Sequence, residues 1–137
     1  MPHEHPIRVY FEDTDAGGVA YHAAYLRWAE RARREALREW GIPHQRMMDE
    51  HRCFLVVKHV TVEYQRPARL DDLLSIRSRV LRVSALQHVR QETWRGEERL
   101  AVLEIWLACV DAARLMPRRL PKPWAGGLRA RIEGETE

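Results

Sequence analysis

The stretch VYFEDTDAGGVAYHAAYLRWAERARREALREWG, residues 9–41, indicates a strand, an acidic glycine-rich turn and a long amphipathic helix. From Tyr25 onward, apolar side chains recur three or four positions apart, which is the spacing of one helical face. Charged residues, most of them arginine, fill the opposite face. Gly41 and Pro43 end the helix, because glycine tolerates a left-handed cap and proline cannot continue the hydrogen-bond ladder. The pattern predicts a helix over residues 22–40.

The start of this helix lacks a capping side chain. Helix starts leave four backbone N–H groups unpaired, and Ser, Thr, Asp or Asn usually accepts from them. No such residue occurs between Ala16 and Tyr25, and Thr14 and Asp15 lie about two turns too early. Gly17 and Gly18 allow another group to approach the backbone closely. A carboxylate ahead of a free, positively polarised helix end suits chemistry on a carbonyl. A tight strand-to-helix connection with hydrated acids explains the same pattern.

Length and composition indicate one soluble globular domain over residues 1–137, with 45% apolar and 31% charged residues. No run approaches the ~20 apolar residues of a membrane span, and no export signal is visible. Cys53 and Cys109 lie in apolar segments without CxxC spacing. This usage predicts reduced core cysteines and a cytoplasmic location. Residues 1–6 and 125–137 are expected to be flexible ends.

The chain is mildly basic, with a formal net charge of +3, and nearly all of its cationic side chains are arginine. Arginine suits planar, bidentate recognition of phosphate. Acids are interspersed among the arginines, and neither a block of like charges nor a nucleic-acid motif occurs. A small phosphorylated ligand therefore fits better than a nucleic acid, although a solvated surface accounts for most of these side chains.

After the helix, residues 44–52 indicate a short helix or loop, and strand patterns cover residues 54–64, 73–83, 85–94 and 99–110. Strand, long helix and four consecutive strands predict an α+β fold, with the helix lying across an antiparallel sheet. The last strand is apolar at nearly every position, so we expect burial on both faces. One helix covers only one face. The second face or a sheet edge is thus expected to meet another copy of the chain.

Several motifs resemble one family. They are R-V-Y-F-E-D-T-D-A-G-G-V-A-Y-H-A-A-Y at 8–25, E-R-A-R at 30–33, V-E-Y-x-x-P-A-R-L-D-D at 62–72 and P-R-x-L-P at 117–121. Together they resemble the 4-hydroxybenzoyl-CoA thioesterase-like hotdog family, and within it the YbgC-type, Tol–Pal-associated acyl-CoA thioesterases. The resemblance spans roughly residues 7–121. It implies a long central helix wrapped by a curved five-stranded antiparallel sheet, paired into dimers and often tetramers, with active sites between protomers.

The resemblance also implies roles for particular residues. Asp15 would be the nucleophile or general base toward the thioester carbonyl of an acyl-CoA. The backbone N–H near His22 would hold the carbonyl oxygen, and the His22 side chain would orient water or help the thiolate leave. A structural capping role for His22 is the alternative. This chain has Phe11 where close relatives often have Tyr, so a hydroxyl is missing near the site. Asp13 and Asp15 form a D-x-D pair, and we predict that this pair does not bind a metal.

The acyl-CoA substrate would need an apolar slot and basic residues for its phosphates, with no further cofactor. The predicted substrate-binding residues are Gly17, Gly18, Val19, Tyr21, Tyr25, Lys58, Arg66 and Arg69. Less specific candidates are Leu26 and Val57 for the apolar slot and Arg118 and Arg119 for phosphate. Two other functions stay open: a protein that docks acyl carrier protein or lipid-synthesis enzymes with little hydrolysis, and a hydratase or dehydratase. The spacing of Asp15, Gly18 and His22 follows the thioesterase type.

Overall fold

A computed structural model of the chain describes residues 2–132. The elements in chain order are β1 (His3–Arg8), a short 3-10 turn (Phe11–Asp13), α1 (Ala24–Glu39), α2 (His44–His51), β2 (Cys53–Tyr64), β3 (Leu73–Val83), β4 (Gln87–Arg95), β5 (Glu98–Asp111) and α3 (Lys122–Arg129). The four strands predicted after the helix are confirmed, with ends shifted by at most two residues. No helix in residues 2–132 is both long and apolar enough to cross a membrane.

All strands join one antiparallel sheet in the order β1-β3-β4-β5-β2. The register shifts at Val57/His59 in β2 and at Val80/Arg82 in β3, where an irregularity interrupts the regular pairing. Such irregularities bend a strand and increase its twist. The expected α+β fold with a five-stranded antiparallel sheet is therefore confirmed, and β2 lies at one edge of it.

Helix α1 lies on one face of the sheet and buries the apolar stripe that the sequence predicts. Trp28, Ala29 and Ala32 are buried against strand residues such as Leu103 and Ile105. The small alanines let the helix approach the sheet closely, and burial of each large apolar side chain contributes about 1.5–3 kcal/mol. This packing fixes the start of α1 beside the loops that follow β1 and β2.

A second apolar cluster closes the other end of the helix. Trp124 in α3 is buried beside Leu37 and Met47, and its indole N–H donates a 2.9 Å hydrogen bond to the Ile42 carbonyl oxygen. Residues 3–6 are also ordered, as part of β1. Of the ends predicted to be flexible, 1–6 and 125–137, residues 3–6 lie in β1, which pairs with β3, and residues 125–129 lie in α3, which Trp124 anchors. Residues 133–137 lie outside the described part.

Two boundaries of the opening stretch differ from the sequence prediction. The first strand is His3–Arg8, not a strand from residue 9, because β1 pairs with β3 and the chain then turns at Val9, whose N–H donates to the Asp72 carbonyl oxygen. The helix begins at Ala24 rather than residue 22. A turn precedes it, in which the Ala24 N–H donates to the Tyr21 carbonyl oxygen at 2.9 Å.

The face of β5 that points away from α1 is mixed, and Val102, Ala108 and Val110 on it are buried. Its Glu104 and Trp106 are only partly buried. His88 stacks on Trp106 with ring centroids 4.5 Å apart and contacts Glu104 Oε1 at 2.6 Å, and Arg90 lies 3.7 Å from Glu104. The expected burial of β5 on both faces is therefore confirmed at most positions. Glu104 and Trp106, which lie next to polar side chains of β4, are the partly buried exceptions in the middle of the strand. Strand β2 leaves one edge of the sheet without a further strand among the described residues.

Candidate active site

The loop between the 3-10 turn and α1 is a tight hairpin that presents Asp15. Thr14 pairs with Ala20, and the Asp15 N–H donates to the Val19 carbonyl oxygen at 3.0 Å. Gly18 closes the turn with a φ of +79°, a conformation in which a β-carbon is strained. The loop is held in place by Ala68, whose carbonyl oxygen accepts from the Ala20 N–H at 2.8 Å.

The Asp15 carboxylate is exposed and makes one hydrogen bond, in which Oδ1 accepts from the Gly17 N–H at 2.8 Å. Within residues 2–132, its Oδ2 accepts no hydrogen bond. A β-carbon at position 17 would lie 3.3 Å from Asp15 Oδ1, so glycine leaves room for this arrangement. The carboxylate is thus oriented by the loop with one oxygen available to a substrate or to water.

Asp13, the other acid of the pair, has a structural role. It is only 7% exposed, and its Oδ2 accepts from the Tyr10 N–H at 2.9 Å. Its Oδ1 lies 3.6 Å from Arg27 Nη2, and its carbonyl oxygen accepts from the Tyr21 N–H at 2.7 Å. No cluster of three or more potential metal ligands occurs among the described residues. Asp13 therefore links the 3-10 turn to the helix start.

The start of α1 has no side-chain cap, as the sequence predicts. The N-cap residue is Ala23, and no acid lies in the first turn. In the described chain, the N–H groups of His22 and Ala23 donate no hydrogen bond to a backbone or side-chain acceptor. Free N–H groups at a helix start favour negative charge. These groups can donate hydrogen bonds to a developing oxyanion.

His22 is exposed and is fixed through its main chain. Its carbonyl oxygen accepts a 2.8 Å hydrogen bond from the Tyr64 hydroxyl at the end of β2. Its ring lies beside that of Tyr21, with centroids 4.3 Å apart. No hydrogen bond joins the His22 imidazole to another residue in the range 2–132, so the ring is available to substrate or water.

A cavity of about 300 Å³ opens at His22. It is lined by Ala20, His22, Tyr25, Tyr64, Gln65, Arg66 and Pro67. Tyr25 forms its inner wall and is 2% exposed, and its hydroxyl oxygen accepts from the Ala68 N–H at 2.9 Å. Burial raises the pKa of Tyr25 and also that of Tyr64, so both phenols stay neutral at physiological pH. The volume is near the low end for ligand pockets, about 300–1,000 Å³.

The loop after β2 is held by Arg95. Its guanidinium contacts Asp72 Oδ2 and Glu98 Oε1, both at 2.7 Å, and donates to the Pro67 carbonyl oxygen at 3.2 Å. Burial alone would raise the pKa of Asp72, but hydrogen bonds from the Arg69 N–H and from Arg95 outweigh it, so the net shift lowers the pKa. This network positions the cavity wall formed by residues 65–67.

The predicted phosphate-binding residues divide into two groups within one chain. Arg66 lines the cavity, with Nη1 3.4 Å from Glu98 Oε2, and Arg69 pairs through its backbone with Val19. Lys58 lies six residues before Tyr64 on β2, about 20 Å away at 3.3 Å per residue. The structure thus brings Arg66 and Arg69 to the candidate site and leaves Lys58 apart.

The remaining candidates also lie apart from the cavity or on its rim. Arg118 donates to the His51 carbonyl oxygen at 2.8 Å, Arg119 is exposed, and Leu26 does not line the cavity. Val57 lines a different cavity, of about 270 Å³, between α1 and the sheet.

Sequence reasoning gave no role to several residues that build the cavity: Tyr64, Gln65, Pro67, Asp72 and Arg95. Four of these five lie at or close to the V-E-Y-x-x-P-A-R-L-D-D motif, which was the only signal for them. No sequence signal pointed to Arg95, because its contacts with the loop span 23 and 28 positions of sequence.

Fold and site together define a class of protein: a hotdog thioesterase-like chain. A family model, the Thioesterase-like superfamily, matches residues 9–132, and the chain belongs to that superfamily. It is 44% identical over 119 residues to the acyl-CoA thioester hydrolase YbgC of Escherichia coli O6:H1, covering 85% of this chain and 88% of that one. It is 41% identical over 118 residues to the acyl-CoA thioesterase YbgC of Haemophilus influenzae, covering 85% and 87%.

Comparison with a solved structure identifies the same fold. The crystal structure of a probable thioesterase from Bartonella henselae superimposes with a TM-score of 0.84 at 36% identity, covering 88% of this chain and all of that chain. The comparisons confirm the resemblance predicted from the sequence motifs, including its YbgC-type relatives, and the hotdog architecture.

Proposed function

We propose that this chain hydrolyses the thioester bond of an acyl-CoA. Water adds its oxygen to the carbonyl carbon, the C–S bond breaks, and the free acid and the thiol of coenzyme A are released. The observation that supports this most is the uncapped start of α1, where the His22 and Ala23 N–H groups are unpaired within the described residues and His22 lines a cavity. The thioesterase names of the relatives support it independently.

In this proposal, the helix-start N–H groups stabilise the carbonyl oxygen as negative charge develops on it. Removal of one such donor typically costs about 3 kcal/mol of transition-state stabilisation. Asp15 acts either as general base on the attacking water or as nucleophile that forms a mixed anhydride, which water then cleaves. The His22 imidazole, which makes no hydrogen bond to another described residue, orients water or gives a proton to the leaving thiolate.

The substrate reaches the site from the loop side. Gly17, Gly18 and Val19 present backbone to the thioester, and the rings of Tyr21 and Tyr25 flank the acyl group. Arg66 and Arg69 are the cationic candidates for the phosphates of coenzyme A because they lie at or next to the cavity. The reaction needs no metal or organic cofactor, since a carboxylate and backbone donors supply both required functions.

The same proposal includes a homo-oligomer, either a dimer or a tetramer, in the cytoplasm. Strand β2 is 12 residues long and lies at a sheet edge, and Val57 on it is 48% exposed. Long exposed edges favour pairing with another chain. The free, buried Cys53 and Cys109 fit a reducing compartment. A light-scattering mass equal to one chain at micromolar concentration would contradict the oligomer.

The decisive experiment is Asp15→Asn, which keeps the shape of the side chain but cannot attack or accept a proton. Free thiol release is measured with a panel of short, medium, long and aromatic acyl-CoAs. We expect turnover to fall by about 10²-fold or more. The matched control is Glu12→Gln, an exposed acid in the same loop region, which should keep native turnover. Unchanged turnover in Asp15→Asn would refute the catalytic role.

The panel also separates hydrolysis from the alternative function. If the native chain releases no thiol from any acyl-CoA but binds acyl carrier protein or acyl-CoA, it is a binding or scaffold protein of lipid metabolism instead. The panel would at the same time identify the preferred chain length and the choice between aromatic and aliphatic acyl groups.

A further inference from the structure

The turn that follows β5 holds two large apolar side chains in solvent. Strand β5 ends at Asp111, which pairs with Cys53, and every residue from 112 to 119 is exposed. Leu115 is 67% exposed and Met116 is 60% exposed. The two are neighbours in sequence, so they form one small apolar surface at the end of the sheet. We call residues 112–116 the β5 tip.

Hydrogen bonds hold the β5 tip in one conformation. The Asp111 N–H donates to the Met116 carbonyl oxygen at 2.8 Å, and the Leu115 N–H donates to the Asp111 carbonyl oxygen at 2.7 Å. Asp111 Oδ2 accepts from the N–H groups of Ala113 and Arg114 at 3.1 and 2.9 Å. The tip is therefore preorganised, and little conformational freedom is lost when it binds a partner.

The conformation of Leu115 is unusual for a leucine. Its φ is +57°, in the left-handed region that glycine adopts easily and that a residue with a β-carbon adopts at a cost. Its side chain is also mostly exposed, so packing within the described chain does not offset this cost. The leucine side chain thus contributes little to the fold, whereas it would stabilise a complex in which the tip enters an apolar medium.

The segment that begins at the tip is cationic. Between positions 112 and 132 the sequence contains no Asp or Glu and six cationic residues: Arg114, Arg118, Arg119, Lys122, Arg129 and Arg131. Arg114, Arg119 and Lys122 are exposed and form no ion pair with a carboxylate of residues 2–132. Arg118 differs, because its Nη1 donates to the His51 carbonyl oxygen at 2.8 Å. Three unpaired cations therefore lie close in sequence to the two exposed apolar side chains.

We propose that the β5 tip binds the surface of an anionic lipid bilayer. Leu115 and Met116 enter the boundary between the headgroups and the acyl chains, and the three unpaired cations contact the lipid phosphates. Apolar side chains flanked by cations are typical of reversible interfacial binding. Each Lys or Arg near an anionic membrane surface strengthens such binding about fivefold. This contact is separate from the proposed hydrolytic centre and does not depend on it.

The shape of the tip favours a bilayer over an acidic protein or a nucleic acid. A stable protein interface buries about 800 Å² on each partner, whereas the tip offers two apolar side chains on a turn. Proteins that bind single-stranded nucleic acid combine cations with aromatic rings for base stacking, and positions 112–119 contain no aromatic residue. Interfacial binding to a bilayer needs only protruding apolar side chains with cations nearby, and the tip has both.

The test is co-sedimentation of the full chain with vesicles, in the absence of acyl-CoA. One set of vesicles is phosphatidylcholine alone, and the other contains three parts phosphatidylcholine to one part phosphatidylglycerol. We expect binding to the anionic vesicles to be about tenfold tighter or more, and to weaken when sodium chloride is raised from about 0.1 M to about 0.5 M.

A variant of the tip separates insertion from simple charge attraction. Leu115→Gly removes the side chain and suits the φ of +57°, so the chain should unfold at close to the native temperature. We expect it to bind anionic vesicles about tenfold more weakly. The matched control is Leu73→Ser, since Leu73 is 55% exposed on β3, and it should bind as the native chain does.

Two charge variants test whether the cations of this segment act locally. Arg114→Gln/Arg119→Gln lowers the formal net charge from +3 to +1, and Arg31→Glu, at an exposed position in the middle of α1, lowers it equally. Only the first should weaken binding, by about tenfold or more. Asp15→Asn should bind as the native chain does, and excess coenzyme A at constant ionic strength should not release the chain from vesicles.

Several results would overturn the proposal. They are absence of vesicle binding, equal binding to both vesicle types, native binding by Leu115→Gly, equal losses in the two charge variants, and release by coenzyme A, which would make the cations a phosphate site for a soluble ligand. Binding to polyglutamate without binding to vesicles would also overturn it, in favour of an acidic protein partner.

Discussion

The hydroxyl of Tyr64 donates a 2.8 Å hydrogen bond to the carbonyl oxygen of His22. This contact joins the end of β2 to a residue two positions before α1, across 42 positions of sequence. The His22 carbonyl cannot move far while the bond persists, and the His22 and Ala23 N–H groups belong to the same short turn. Tyr64 thereby positions the donors that we assign to the substrate carbonyl.

Tyr64→Phe removes this hydroxyl and keeps the ring, which packs edge-on to Tyr25 with centroids 5.2 Å apart. We expect a fall in kcat of roughly three- to tenfold, because a loosened turn no longer holds the N–H groups in place. The free energy of unfolding should fall by about 0.5–1.5 kcal/mol, the usual net contribution of one hydrogen bond. Steady-state kinetics and denaturant titration measure the two effects.

The matched control for Tyr64→Phe is Thr61→Val, which removes a hydroxyl from an exposed position of the same strand. It should leave kcat unchanged. If Tyr64→Phe also leaves kcat unchanged while stability falls, the contact serves only the fold.

Gly17→Ala tests how the loop orients the Asp15 carboxylate. The added methyl group would lie 3.3 Å from Asp15 Oδ1, closer than an ordinary van der Waals contact, so the carboxylate must shift. We expect thiol release to fall severalfold with little change in stability, because the loop is exposed. Gly126→Ala is the control, since a β-carbon there meets no atom within 4 Å. Native turnover in Gly17→Ala would show that the Asp15 position tolerates displacement.

Substitution of Asp13 should mainly lower stability, whereas substitution of Asp15 should mainly lower activity. Asp13→Ala removes the acceptor of the Tyr10 N–H and the ion pair with Arg27. We expect the free energy of unfolding to fall by about 1–3 kcal/mol, because the Tyr10 N–H loses its partner. Asp15→Ala should abolish turnover with a much smaller loss of stability. Thermal unfolding and thiol release, measured on both variants, check this contrast, and equal losses of stability would contradict it.

Much of the fold follows from periodicity in the sequence. The apolar stripe of α1 and the alternation in β3 are local signals that also match their tertiary surroundings, so both elements are confirmed. Strand β1 and helix α3 were missed, since HEHPIR and KPWAGGLR carry weak patterns and are stabilised by distant contacts. Trp124 bonds to Ile42 across 82 positions, and no local pattern encodes such a contact.

The candidate site likewise combines features that the local sequence predicts with features that depend on distant contacts. The missing cap at the start of α1 is a property of the residues next to it, so it could be predicted and is confirmed. The cavity wall depends on Arg95, which lies in β4 and reaches the loop at Pro67 and Asp72.

The last prediction concerns a buried histidine far from the proposed site. His44 at the start of α2 is 5% exposed, and its Nε2 accepts a 3.0 Å hydrogen bond from the Leu55 N–H. Burial, reinforced by the nearby Arg34 and partly opposed by Glu30, lowers the pKa of His44 to about 4. His44 therefore stays neutral in the folded chain at pH values where it is protonated in the unfolded chain.

The sign of the pH effect follows from proton binding. Between pH 6.5 and about pH 4 the unfolded chain holds more protons at this position, so stability rises with pH. The contribution of neutral His44 is complete above pH 6.5 and is lost as the pH falls toward 4, by about 3 kcal/mol at most. Denaturant titrations at pH 7, 6 and 5 should show this slope, and His44→Gln, whose amide oxygen can still accept from Leu55, should reduce it. An identical slope in both chains would contradict the assignment, and an NMR titration of the His44 ring gives its pKa directly.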